Sequence, residues 1–410
     1  MRLSNNQMYQ NSLNSILNNQ QNVNKAQEQV NTQKRVLTAA DDPSATARAL
    51  LYTDRIQANE QYSKNITMLT SRLNTQESVL ENIKGSLEKA YTLAIQAGNG
   101  VYTDIDREGI AEELKSIQSS VLDLMNAKTE DGKYIFSGYQ DNTQTYSLDS
   151  STGKYVYGGD QGQHKIKVAE GVEIKSSDNG FDTFEKVNAR LNVASNDGVA
   201  SGGITSAQVY VREQAQFDAF HKANYNADPS AAAGANTFNI ITTAGSPNSY
   251  SVEQGGNVVA SGTFDGSTLK VAGMEISMSP VATGQVDFTL EAPQKENVLN
   301  TLSDLIAGLT DPTLSQDDYD QVLAAAMIQI DNSKNTVSLT QAGLGGRLNT
   351  TEKITQSNSD LDVNNKSSRA DLVELDMAEA ITELTKQETA LQASQATFGR
   401  LAKLSLFDYL

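Results

Sequence analysis

Apolar residues return every seven positions near both ends of this chain, but with a fuller pattern further in than at the extremes. Tyr9, Ile16, Val23, Val30 and Leu37 stand seven apart, while the companion positions Leu13, Gln20, Gln27 and Lys34 are mostly polar. One good phase and one poor one make a coiled-coil seam that is marginal alone and needs a partner. Thr38-Ala39-Ala40-Asp41-Asp42-Pro43 interrupts it. Asp42 is a suitable N-cap, and Pro43 suits the first helical position, where its missing N–H costs nothing. The next stripe is denser: Ile66, Leu73, Leu80, Leu87 and Ala94, joined by Leu69, Ile83 and Ala90. It predicts one helix over 43–97, roughly 80 Å long at the helical rise. Gly98-Asn99-Gly100 ends it.

Ile110, Leu114, Ile117, Val121 and Leu124, spaced 4,3,4,3, predict a third helix that stops before Asp131-Gly132. Lys133-Tyr134-Ile135-Phe136-Ser137-Gly138 reads as a strand bounded by glycine. The period then shortens. Strand-like runs at 154–157, 165–168, 237–242, 249–253, 269–277 and 286–291 alternate with Gly and Asn turns, and 181–191 and 209–223 read as helical. Helical spacing resumes at 296–309, then at 316–359, with Ile330, Val337 and Leu344 seven apart and Ile354 beyond. The last helix, 370–404, carries Met377, Leu384, Leu391 and Phe398, with Ile381 and Leu401 beside them and Leu404 and Phe407 following. Its companions Glu388 and Gln395 are polar, so it repeats the design of the first.

These patterns predict an α+β protein. Its N- and C-terminal segments form a long antiparallel α-helical coiled-coil bundle, with β-rich domains inserted. Residues 1–42 and 370–410 are expected to be assembly helices, disordered until a partner completes their seams. Residues 43–139 and 295–369 are the two halves of the bundle, and 140–294 the β-rich outer part. The assembly interface falls on Tyr9, Leu13, Ile16, Val23, Val30 and Leu37 at one end. At the other it falls on Met377, Ile381, Leu384, Leu391, Phe398, Leu401, Leu404 and Phe407.

Composition narrows the function. The 410 residues are 38% hydrophobic with no Trp, which suits elongated helices with thin cores. A formal net charge of −18 repels phosphate backbones and anionic membranes, so neither nucleic acid nor membrane is an expected partner. The absence of cysteine excludes disulfides, thiolate nucleophiles and cysteine-ligated metals. The opening MRLSNNQMYQNSLNSILNNQQ has no apolar stretch and no small-residue cleavage site, so the protein is expected either to stay in the cytoplasm or to leave by a route that ignores such signals.

No enzyme chemistry is expected, and neither a cofactor nor a metal. There is no P-loop, no nucleophile elbow and no H-E-x-x-H. His164 and His221, the two histidines, read as surface residues. Gly343-Leu344-Gly345-Gly346 lacks a preceding strand and a following Lys-Ser/Thr, and reads as a place where a neighbouring backbone comes close in a helix. Glu112-Glu113 and Asp317-Asp318 point apart on helices and read as helix starts and solvated faces. A pocket lined by Tyr155, Tyr157 and Tyr210 would be needed to support sugar binding by the middle segment.

The blocks MRLSNNQMYQNSL, QEQVNTQKRVLTAADDPSATARAL and ANEQYSKN resemble the N-terminal region of the flagellin superfamily, and within it the hook–filament junction proteins. IAEELKSIQSSVLDLMNAKTEDGKYIFSGYQDNTQTY resembles that family's passage into the β domain, and STLKVAGMEISMSPVATGQVDFTLEAPQKENVLNTLSDLIAGL its return. DMAEAITELTKQETALQASQATFGRLAKLSLFDYL resembles its terminal helix. The resemblance covers about the first and last 145 residues; 150–265 resemble nothing in particular. It implies a structural subunit secreted through the flagellar type III channel to the extracellular flagellum. Copies would form a ring at the hook tip, between the first hook-associated protein and flagellin. An export chaperone would hold the C-terminal region. Flagellin itself is the alternative, but flagellins typically carry Asp-Asp-Ala-Ala-Gly where this chain has Asp41-Asp42-Pro43-Ser44-Ala45, and usually lack the Phe407-Asp408-Tyr409 ending. A coiled-coil adhesin is disfavoured by the closing SLFDYL.

Overall fold

The structure is a computed structural model that describes residues 2–407, and the side chains of 6–400. Seven helices and twelve strands are present among them: α1 (Arg2–Thr32), α2 (Pro43–Ala97), α3 (Asp104–Met125), β1 (Tyr146–Asp149), β2 (Lys154–Tyr157), β3 (Lys165–Ala169), β4 (Val172–Lys175), β5 (Asp197–Gly202), β6 (Ser206–Val211), α4 (Gln214–Asn224), β7 (Thr237–Thr243), β8 (Asn248–Gln254), β9 (Asn257–Phe264), β10 (Thr268–Val271), β11 (Met274–Ser279), β12 (Gly284–Thr289), α5 (Val298–Thr310), α6 (Gln316–Val373) and α7 (Met377–Phe407). They fall into two compact units. One comprises Met1–Met68, Lys167–Glu173 and Thr350–Leu410; the other comprises Leu69–Ile166 and Ile174–Asn349. The fold is the expected one, terminal helices around an inserted antiparallel β-rich region.

In the second unit, the rear of α2, the front of α6, α3 and α5 make a bundle. Leu69, Leu73, Leu80, Ile83, Leu87, Ala90 and Ala94 are all fully buried, as are Leu114, Val121, Leu302, Ile330 and Leu344. One polar layer interrupts this stripe. Gln76, also fully buried, exchanges two 3.3 Å hydrogen bonds with Asp178, which pairs with Arg347. Such a layer fixes register, because any slip leaves a buried polar group unsatisfied. Thr103 starts α3 with a reciprocal capping box: its Oγ1 accepts from Asp106 N, and the Asp106 carboxylate accepts from Thr103 N.

The same unit holds an eight-stranded antiparallel sheet in the order β10-β11-β6-β5-β12-β7-β8-β9. Its core includes Val209, Phe238, Ile240, Val252, Ile276 and Phe288, with Phe217 from α4 completing it. Arg212 ties the sheet to the start of α6 through Asp317 and Asp320 (3.2 Å), and reaches Glu275 at 3.8 Å.

Several expectations are corrected. Lys133–Gly138 is not a strand; beyond the Lys128–Tyr134 bridge its apolar side chains serve as a plug. Phe136 is fully buried against Phe184 at 5.1 Å, and its carbonyl accepts from Gly180 N. The 269–277 run breaks at Ala272-Gly273, both with positive φ, into the hairpin β10–β11. Of 181–191 only a five-residue π turn forms, Phe181–Glu185, and 209–223 divides into the end of β6 and α4. Leu124 is half-buried and Met125 takes its core place. His221 is a core residue, 1% exposed, stacked on Tyr225 and 2.8 Å from Glu291 O. A Cβ placed on Gly343, Gly345 or Gly346 meets nothing within 4 Å, so close approach within this chain does not account for them. α6 runs past 359 to Val373 because nothing in 360–373 breaks a helix; the break stands at Glu374-Leu375-Asp376.

Candidate assembly interface

The first unit brings the two predicted terminal seams together. α1 and α7 run antiparallel, and their shared face is read from burial. On α1 the covered positions include Ser12, Ile16, Asn19, Val23, Ala26 and Val30, and on α7 Ala380, Leu384, Gln387, Leu391, Ser394 and Phe398; Gln29 and Ala390 are covered beside them. The two series follow the 4,3,4,3 spacing of a coiled-coil face. Ile16, Val23, Val30, Leu384, Leu391 and Phe398 therefore occupy the seam.

The companion phase differs from the expected one. It lies three residues after the good phase rather than four, so Ser12, Asn19 and Ala26 replace Leu13, Gln20 and Gln27, and Ala380, Gln387 and Ser394 replace Ile381, Glu388 and Gln395. Leu13 and Ile381 apart, both choices are polar or small, which is why the sequence does not separate them. Asn19 is the visible consequence: its Nδ2 donates to Ser394 Oγ at 2.7 Å and Ala390 O at 3.4 Å. At the outer end Tyr9 meets Phe398 with ring centroids 4.8 Å apart, yet Tyr9 remains 47% exposed.

Leu13 and Ile381 lie outside the seam, 42% and 53% exposed, and Met377 is exposed as well. Met8 and Leu17, which the heptad reading passes over, are exposed on α1 too; the four-residue step from Leu13 to Leu17 is the signal for this second apolar strip. Leu37 is not helical: α1 ends at Thr32, and Leu37 sits half-buried in the following loop beside the buried Val36. The side chains of Leu401, Leu404 and Phe407 lie outside the described residues.

The roots of the pair are held by backbone. Lys34 and Glu374 form an antiparallel bridge; Arg35 N donates to Val373 O at 2.8 Å and Leu375 N to Gln33 O at 3.1 Å. Asp41 shapes the loop into α2. Its carboxylate accepts from Lys25 Nζ at 2.5 Å and from the N–H groups of Thr38 (2.9 Å) and Leu37 (3.2 Å). These hydrogen bonds, Lys25's foremost, hold its pKa down at about 2. Asp42 Oδ1 accepts from Ala45 N at 2.9 Å, the geometry of an N-cap. Asp376 caps α7 in the same way through Ala378 N at 2.9 Å.

Tyr157 donates to Phe136 O and Asp160 O, while Tyr210 packs beneath Arg212 in the large sheet. No helix of the described residues is long and apolar enough to cross a membrane.

Residues 3–141 match the family described as the bacterial flagellin N-terminal helical region. Over 408 residues, 100% of this chain and 99% of the relative, the sequence is 26% identical to flagellar hook-associated protein 3 of Escherichia coli (strain K12). The phase 1 flagellin of Salmonella naestved is 27% identical over 116 residues, 28% of this chain and 23% of the flagellin. In structure, the flagellar junction protein FlgL from Legionella pneumophila superposes with a TM-score of 0.58, 24% identity, and coverage of 80% of this chain and 100% of that one. The resemblance read from the two ends is thus a full-length one: the chain is similar from end to end to flagellar hook-associated protein 3, and its residues 3–141 match the flagellin N-terminal helical region.

Proposed function

We propose that this chain is a structural subunit of the bacterial flagellum at the junction between hook and filament. The observation that carries the reading is the end-to-end match to flagellar hook-associated protein 3, against flagellin relatives that match over 28% of the chain. The role is mechanical rather than enzymatic, and its location is the extracellular flagellum.

Residues 1–42 and 370–410 act as the assembly segments, 43–139 and 295–369 as the bundle, and 140–294 as the outward part. The α1/α7 seam is thin and the strips around Leu13, Leu17 and Ile381 are uncovered. Packing of these helices against neighbouring copies buries them, and that burial offsets the cost of ordering both segments. The partners are other copies in a ring, the first hook-associated protein, flagellin, and an export chaperone at the C-terminal region; the route out is the flagellar type III channel. If the segments order only on assembly, amide exchange in the free protein is fast over 1–40 and 372–410, and protection there removes that part of the reading.

A clean gene deletion tests the whole. Loss of motility with intact hooks and unpolymerised flagellin in the medium is expected. Normally capped hooks with filament protein missing would identify a flagellin, and normal swimming would overturn both.

A further inference from the structure

The chain contains two Asn-Gly dipeptides, Asn99-Gly100 and Asn179-Gly180. Asparagine followed by glycine is a point where a polypeptide can attack itself. The backbone nitrogen after the asparagine reaches the side-chain carbonyl carbon, and glycine has no side chain to obstruct it. The two dipeptides are chemically alike, and the fold treats them differently.

Asn179 is locked. It is 1% exposed. Its Nδ2 donates to Gln161 O at 3.1 Å and Asp182 Oδ2 at 3.0 Å, and its Oδ1 accepts from Asp182 N at 2.7 Å. Gly180 N, the nitrogen that would attack, donates to Phe136 O at 2.7 Å. Reaction there must first break these bonds. Asn99 lies in the exposed turn between α2 and α3. Its Oδ1 accepts from Val101 N at 3.2 Å. Both asparagines thus carry a backbone donor on the oxygen that takes charge when the carbon is attacked. The difference lies in the other groups: among the described residues Asn99 Nδ2 and the Gly100 N–H donate to nothing. A Cβ built on Gly100 meets nothing within 4 Å, so its surroundings are open.

We propose that Asn99 is a site of spontaneous hydrolytic deamidation in the folded protein, and that Asn179 is not. Gly100 N gives up its proton and bonds to Asn99 Cγ. The Cγ–Nδ2 bond breaks and ammonia leaves with that proton, closing a succinimide. Water then opens the ring at either carbonyl. One opening leaves aspartate at position 99. The other leaves isoaspartate, which carries the chain through the former side chain and adds a methylene to the backbone. Either product places a negative charge at the C-terminal end of α2, where the helix dipole disfavours it. Isoaspartate also lengthens the turn that Tyr102 N closes on Asn99 O at 3.0 Å. The inference does not depend on the role in the flagellum.

Incubation of the full chain at mildly alkaline pH tests it, followed by digestion and mass spectrometry that separates aspartate from isoaspartate peptides. The Asn99 peptide is expected to convert, mainly to isoaspartate. It should do so at least about tenfold faster than the Asn179 peptide, whose reaction waits on local opening. In denaturing urea the two rates should converge. Gly100→Ala should slow conversion at Asn99 several-fold without lowering the thermal midpoint. Equal rates at the two sites in the folded protein, an undiminished lead for Asn99 in urea, or a parent-like rate in Gly100→Ala would each overturn the proposal.

Discussion

Two heptad stripes in this chain share a period and differ in completeness. Along the rear of α2 both phases are filled, and Leu73, Leu80, Ile83 and Leu87 are fully buried. Along α1 one phase is apolar and the other is Ser12, Asn19 and Ala26; only Val23 and Ala26 are buried, while Tyr9 remains half open. A two-helix ribbon cannot surround its own seam, whereas a bundle can. The first stripe is finished within one chain. The second has apolar surface to spare, and that spare surface is where a neighbouring copy would gain most.

The contrast can be broken from either side. The largest effect is expected for Leu391→Asp: incorporation into flagella is lost altogether, while the denaturant midpoint of the bundle stays at the parent value. Normal incorporation would show that this seam is not used in assembly. Next, Leu80→Ala opens a void in a filled core and should lower unfolding free energy by about 2–5 kcal/mol; an equal loss from Val23→Ala would erase the distinction between the stripes. Removing the α2 cap with Asp42→Ala should cost about 1 kcal/mol, read as a lower midpoint in chemical denaturation. The smallest effect concerns pH. Asp41 titrates at about 2 when folded against 3.8 ordinarily. Its contribution is therefore present above the unfolded value and is lost as pH falls from about 4 toward 2. Lys25→Met should flatten that part of the stability profile, and an unchanged profile would remove Lys25 as the cause.

Where the sequence carries a local stop signal, its reading matches the structure. Asp42-Pro43 and Gly98 bound α2 at the residues expected, because a cap, a ring that fixes φ and a glycine act within one turn. The break between α6 and α7 lies later than its expected place because its cause is remote: Glu374 and Leu375 leave the helix to pair with Gln33 and Lys34, more than three hundred residues away. Strands β1, β4, β5, β6 and β9 escape the sequence reading in whole or in part for a similar reason. Asp197-Gly198-Val199-Ala200-Ser201-Gly202 has little strand character and is held by pairing to β12 and β6. In the interface the apolar phase is legible, since Ile16, Val23, Leu384 and Leu391 have no competing reading. Which polar phase accompanies it is not, because Asn19 declares itself only through Ser394.

The bridge between Lys34 and Glu374 has a consequence for how the ends find each other. Strand pairing holds the two backbones about 5 Å apart at that point, so α1 and α7 begin from a common root. Each helix then experiences the other at an effective concentration on the order of millimolar, whatever the concentration of the protein. Their pairing is therefore intramolecular, with the bridge at one end of the α1/α7 seam and the Tyr9–Phe398 contact at the other.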